Sequence, residues 1–247
     1  KVMVMNLVVK TSVVAVSWLV GMCSAWACTL PERLNVVGNA QQHEQVCAAY
    51  GRAVNFFERY GYTIDPAKVV GQVSFANKVI LPAADSKGNP TFSSGVRVLG
   101  LFDRGSGVLQ VTDERERWVK HKKRTYFKLQ YTPSLYESVL VHELVHMLSK
   151  QFYRYSDYGH AQEEYIAYAA QIESLSIKER DRVLKACDFT KCTFSSEVNI
   201  NDLVHFGNPH RFGVMSYRHF SSPEGGRVML ERIYSGDFKP VDFSQFP

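Results

Sequence analysis

The sequence contains no internal repeat, no low-complexity tract and no strong excess of charge of either sign. Without a repeat or a biased tract it is neither a fibre nor a tail. Lys and Arg number 29 against 24 Asp and Glu, a formal net charge of +5 over 247 residues. That balance is too mild to imply a nucleic-acid partner. Hydrophobic residues at 45% and charged residues at 21% are an ordinary globular mixture, which excludes a disordered chain and a polytopic membrane protein. The length is ample for a sizeable core. Composition names no chemistry.

Acidic residues are missing from the first 27 positions. That segment carries Lys1 and Lys10, then an apolar stretch from Val13 to Cys23, then Ala25-Trp26-Ala27 in the A-x-A pattern of a cleavage site. It reads as a secretory signal peptide, residues 1–27, and the protein is expected in the periplasm or beyond. An uncleaved anchor is the alternative, but the apolar stretch is shorter than the roughly 20 residues of a spanning helix. No stable membrane insertion is expected once the signal is removed.

Cysteine is scarce, five in all. Signal removal leaves Cys28, Cys47, Cys187 and Cys192, an even set that reads as two disulfides in an exported protein. Three pairings are possible, and proximity favours Cys28 with Cys47 and Cys187 with Cys192. Cys28 directly after the cleavage point also raises a lipoprotein. Ala25 stands where a lipobox usually carries Leu, which favours the disulfide.

Residues 28–247 are expected to form an α+β domain, β-rich over 62–132 and helical over 133–247. Val46, Tyr50, Ala53 and Phe57 recur at helical spacing from His43 to Tyr60, and Gly61 ends the run. Short strands are expected at Val69–Phe75, Val79–Leu81, Val96–Phe102, Val108–Thr112 and Thr125–Tyr131. Asp85 to Pro90 reads as a surface loop. The basic run Lys120 to Arg124, near Trp118, has the look of a nucleic-acid patch, but a solvated turn between strands is the better reading. Ser134 and Glu137 have capping-box spacing, which starts a helix at Leu135. Further helices are expected at Ala161–Ser174, Ile177–Ala186 and Arg227–Tyr234, with irregular chain between the last two.

The capped helix contains His142-Glu143-Leu144-Val145-His146. Residues four apart share a helix face, so both imidazoles can reach one metal ion. Glu143 lies next to that face, placed to take a proton from a water on the metal. This is the HExxH geometry of zinc hydrolases. Val141, Leu144, Val145 and Leu148 form a stripe that would bury the helix. The bland alternative is two histidines merely packed on a helix.

A catalytic zinc needs a third protein ligand and an open fourth position. Downstream, His160, Glu163 and Glu164 offer donors on a segment with helical pattern. Here the chain resembles the gluzincin metallopeptidases, whose HExxH is followed by a Glu on a later helix, often in E-G-x-A. Glu164 with Ala167 matches the E-x-x-A spacing, so the resemblance assigns Glu164 as ligand, with Glu163 and then His160 as rivals. It spans Ser134 to Ser174, and Tyr165 replaces the Gly of the pattern, which leaves the subfamily open. The segment looks most like uncharacterised bacterial members of the clan.

The resemblance implies a zincin-like fold, one catalytic Zn2+ held by His142, His146 and Glu164, a peptide or protein substrate, and Glu143 as the general base. In such enzymes a Tyr or His from the C-terminal part stabilises the oxyanion. Tyr217 and His219 are the candidates here. Similar folds hold substrate along an edge strand, a role expected of Val108–Thr112. A zinc-binding or envelope-binding protein that has lost activity is the rival reading, because an intact motif is necessary and not sufficient.

Overall fold

The computed structural model describes residues 29–84, 90–113, 125–154, 159–187, 192–194 and 196–238. The expected signal segment, most of the 85–90 loop and the basic run at 120–124 lie outside the described residues. What is described is a mixed α+β structure. One strand and a long helix come first, the rest of a four-stranded sheet and two hairpins next, and the other helices follow.

Strand β1 (Leu34–Val37) leads into helix α1 (Ala40–Arg59) and then β2 (Gly71–Ala76), which lies parallel to β1. Asn39 caps α1 by accepting from the Gln42 N–H, while Gln42 returns a bond to the Asn39 N–H. Gly61 closes it with φ +84°, a conformation that costs glycine little. The antiparallel hairpin β3 (Val79–Ala84) and β4 (Pro90–Val98) comes next, then β5 (Gly100–Asp103) and β6 (Val108–Thr112). The sheet order is β1-β2-β6-β5, with β6 parallel to β2 and β5 antiparallel to β6.

Two expectations change here. Val96–Phe102 is not one strand, because the chain bends at Leu99 and passes from the hairpin to the main sheet. Val108–Thr112 is no edge strand: it is paired on both sides, by β2 and by β5. The edge on this side is Gly100–Asp103.

Thr125–Tyr131 also folds back on itself. Strands β7 (Thr125–Tyr126) and β8 (Leu129–Gln130) pair across Phe127 and Lys128, which take φ of 50° and 60°. Two central residues at positive φ are the geometry of a tight hairpin turn. Phe127 is buried against Tyr168 and His210, and that packing offsets the cost of the left-handed backbone.

Helix α2 (Pro133–Ser149) carries the HExxH segment. Its cap is Thr132, whose hydroxyl accepts from the Leu135 N–H, and Pro133 opens the first turn. Proline suits that place because its φ is preset and the N–H it lacks has no intrahelical partner there. The Ser134–Glu137 box therefore does not form. Ser134 donates to Glu179 instead, and Glu137 pairs with Arg52 of α1. From Ser138 to Ser149 every residue is buried, between α1, α3 (His160–Glu173) and the sheet. A helix enclosed on all sides reads as apolar nearly all round, and each fully buried Leu or Val contributes about 1.5–3 kcal/mol. Val141, Leu144, Val145 and Leu148 are all sealed from solvent, as their stripe implied.

Helix α4 spans Ile177–Lys185. The stretch expected to be irregular holds two helices, α5 (Asp202–Gly207) and α6 (Pro209–Phe220), each started by an asparagine cap. Helix α7 spans Gly226–Ser235. Cys187 and Cys192 form the expected disulfide. Cys47 is disulfide-bonded too, and the Cys28 paired with it from sequence lies outside the described residues. No helix among the described residues is long and apolar enough to cross a membrane.

Candidate metal centre

Helical spacing places His142 and His146 one turn apart, with their Nε2 atoms 3.2 Å from each other. At that separation only one of the two nitrogens can carry a hydrogen. Helix α3 crosses α2 and brings Glu164 between them. Its Oε2 lies 3.3 Å from His142 Nε2 and its Oε1 3.4 Å from His146 Nε2. The donor atoms of His142, His146 and Glu164 all lie within 4.8 Å of one another, and all three side chains are largely enclosed.

These separations suit an ion. A tetrahedral zinc with bonds of about 2.0–2.1 Å spaces its ligands about 3.3–3.4 Å apart. Two imidazoles and one carboxylate are also a donor set that zinc accepts. A buried cluster of hydrogen-bond acceptors converging on one point is costly unless a cation or protons join them. The residues present fit a divalent metal.

The three candidates for third ligand stand in different places. Glu164 faces the Nε2 side of both rings. Glu163 sits behind His146, with Oε2 3.9 Å from Nδ1, and pairs with Arg104. His160, half exposed at the start of α3, lies 3.5 Å from Glu164 Oε1 and 3.3 Å from Asp202 Oδ1. Only Glu164 shares the position between the two histidines.

Around this centre the environment sets the charges. Burial alone would raise Glu164, but the His142 and His146 imidazoles hold its carboxyl well below the usual range. Glu143, also buried, lacks such a partner. Desolvation pushes its carboxyl up to about 7, opposed by His142, reinforced by the Glu164 charge, and moderated by the Phe102 N–H. That N–H belongs to the edge strand β5. Glycine at position 100 of the same strand leaves room for the Glu143 carboxylate.

His142 is also supported from outside. Tyr168 meets its ring edge to face, with centroids 4.6 Å apart. Gln171 gives its amide hydrogens to Ser138 and Tyr126, and its carbonyl stands near His142 and favours the protonated ring. Among the described residues both His142 Nδ1 and Gln171 Oε1 are buried without another hydrogen-bond partner, a complementary donor and acceptor.

Sequence reasoning missed His205. It projects from α5 with Nε2 3.5 Å from Glu164 Oε2, buried between Tyr168 and Phe212. Burial drives its pKa down to about 4, so it is neutral near pH 7. A lone histidine in a short segment of mixed pattern gives no periodic signal, and nothing in the chain order points to the site.

Tyr217 and His219 are held elsewhere. His219 Nδ1 is hydrogen-bonded to the Tyr165 hydroxyl at 2.8 Å, beside Phe194. The Tyr217 ring lies under the Arg180 guanidinium at 5.9 Å. Among the described residues neither makes a contact with His142, His146 or Glu164.

A family model described as a family of unknown function, DUF6639, matches residues 35–241, which take in the sheet, both site helices and His205. No curated protein and no solved structure matches the chain. The chain belongs to the DUF6639 family.

Proposed function

We propose that this protein is an exported, zinc-dependent peptide-bond hydrolase on a zincin-like fold. The observation that carries the reading is the convergence of His142, His146 and Glu164 from two helices, with Glu143 beside them. The HExxH…E order of the sequence and the N-terminal pattern of export agree with it.

His142, His146 and Glu164 would hold a zinc ion, which when bound would supply Lewis acidity for a carbonyl and a water. The protein's own groups supply the rest. Glu143, with a carboxyl balanced near neutrality, takes a proton from the attacking water and returns it to the leaving nitrogen. His205 turns its Nε2 toward the same space, and a neutral ring with its hydrogen on that nitrogen is a donor for the developing oxyanion. This is the role that the resemblance implied for Tyr217 or His219. Among the described residues strand β5 is an edge of the sheet beside Glu143, which takes up its Phe102 N–H, and an extended peptide adds along that edge as a further strand. This takes over the part expected of Val108–Thr112.

The test is metal analysis of the purified protein coupled to cleavage of a peptide library, wild type beside Glu143→Gln. The expected result is about one zinc per chain in both, with cleavage only in the wild type. A chain that takes up no zinc, or a Glu143→Gln variant that cleaves as well as the wild type, refutes the reading.

A further inference from the structure

The turn between β5 and β6 is fastened to both helices that carry the metal-binding groups. Lys150, at the C-terminal end of α2, donates to the Arg104 carbonyl at 2.6 Å and lies over the Phe102 ring at 4.7 Å. The turn is ordered within itself as well, since Asp103 accepts from the Gly105 N–H and the Ser106 hydroxyl. From this fixed turn the Arg104 guanidinium reaches across to the Glu163 carboxylate on α3.

Glu163 is an unusual place for a negative charge. Its side chain is only 4% exposed, and the carboxylate of Glu164 is the next along the helix. A buried carboxylate without a cation is strongly destabilising. Arg104, itself 40% exposed, is that cation. The same Glu163 Oε2 stands 3.9 Å from His146 Nδ1, on the ring edge opposite the one that faces Glu164. A carboxylate at Nδ1 favours the tautomer with hydrogen there, which leaves the Nε2 lone pair for a metal. At 3.9 Å Glu163 acts on the His146 ring through charge and not through a direct hydrogen bond, and Arg104 is the cation paired with that charge.

We propose that Arg104 is a positioning residue for the metal centre, acting through Glu163 on His146, so that the turn at the end of the substrate-side strand sets the geometry of a ligand. This rests on the metal-binding reading of His142, His146 and Glu164. Among the described residues Arg104 makes the connection, whereas Lys150 fastens the same turn through a backbone carbonyl and an aromatic ring.

The experiment uses Co2+ as a spectroscopic probe on the full chain. Affinity is measured by competition with a chelator, and ligand geometry by the visible d–d bands. The variants are Arg104→Gln, Arg104→Lys, Glu163→Gln, the double variant and Lys150→Met. Arg104→Gln should weaken Co2+ binding by roughly 10–100-fold, the range typical for groups that orient a metal ligand, and alter the d–d bands. Arg104→Lys, which keeps the charge, should recover most of both. In the Glu163→Gln background the Arg104→Gln effect should disappear, because the path runs through that carboxylate. Lys150→Met, which loosens the turn but leaves the Arg104–Glu163 pair in place, should change affinity and bands in the same direction as Arg104→Gln and by less. Wild-type affinity and bands in Arg104→Gln would overturn the proposal while leaving the metal centre standing. An equal effect of Arg104→Gln with and without Glu163 would overturn it too. Failure of the wild type to bind Co2+ would remove the metal reading and this proposal together.

Discussion

Gly100 and Glu143 are so closely apposed that a Cβ added at the glycine would come within 2.5 Å of the glutamate's Cγ and Oε1. Real Cβ atoms do not approach that closely, so either the strand or the carboxylate must move. Gly100→Ala is expected to displace Glu143 from the position next to the histidines. Because the three atoms nearest to such a Cβ all belong to Glu143 and to none of the three metal-binding side chains, zinc content should stay near that of the wild type. Peptide cleavage should fall by about 100-fold, the scale of a displacement of about 1 Å at a reacting group. Unchanged cleavage in Gly100→Ala would mean that the strand gives way and not the Glu143 carboxylate.

The third ligand is decided by a contrast of three alanine variants. Glu164→Ala should weaken zinc by more than about 100-fold, beyond the loss typical of groups that only orient a ligand. Glu163→Ala should fall within about 10–100-fold, because it faces the Nδ1 side of His146. His160→Ala should cost less than either, since its side chain is half exposed and shared with Asp202. Zinc affinities measured by chelator competition give the order directly. A loss in Glu163→Ala larger than in Glu164→Ala would contradict the ligand set.

His205 separates binding from turnover. His205→Ala should retain zinc and lose roughly 10²–10³-fold in kcat, as expected for one missing oxyanion donor. Since burial holds the ring's pKa at about 4, its donor role should not titrate between pH 6 and 8. Zinc loss in His205→Ala would make it a ligand. An unaltered kcat would make it a packing residue.

Acid stability has a separate origin, at Glu179. Burial would raise its carboxyl, but the hydroxyls of Ser134, Ser176 and Thr132 outweigh this and lower it from 4.5. A group with a lowered pKa in the folded state stabilises the fold fully above its unfolded value. That contribution is lost as the pH falls through the folded value. Glu179→Gln should therefore cost about 1 kcal/mol at pH 7, with a smaller difference from wild type below pH 4.5. Urea melts at pH 7 and at pH 3 measure both. A constant difference across the two would exclude the ionised carboxylate as the cause.

Local physics made part of this protein legible in its sequence. His142 and His146 meet because a helix repeats every 3.6 residues, and no distant contact is needed to bring them together. The helices at 40–59, 160–173, 177–185 and 226–235 fall close to their expected bounds for the same reason, as apolar periodicity and end signals act over a few residues. Even here competition between near neighbours shifted a boundary, since the Thr132-Pro133 start prevailed over the Ser134–Glu137 box. The choice of Glu164 over Glu163 came from a family spacing, and it agrees with where the two carboxylates stand.

What remained was decided by which elements pack together, and no short stretch of sequence encodes that. Strand order made β5 the edge and buried β6 between partners, although both runs look alike as strands. The crossing of α2 and α3 put Glu164 in front of the imidazoles and Glu163 behind one of them. His205 arrives from a six-residue helix about 60 residues along the chain, while the more suggestive Tyr217 and His219 are taken up by Arg180 and Tyr165. Gly100 and Arg104 have no local signature at all. Their importance comes from standing against Glu143 and Glu163 once the sheet edge has docked on the helices. A helical repeat fixes neighbours within one turn, whereas contacts between distant segments follow from the burial of apolar surface by the whole chain.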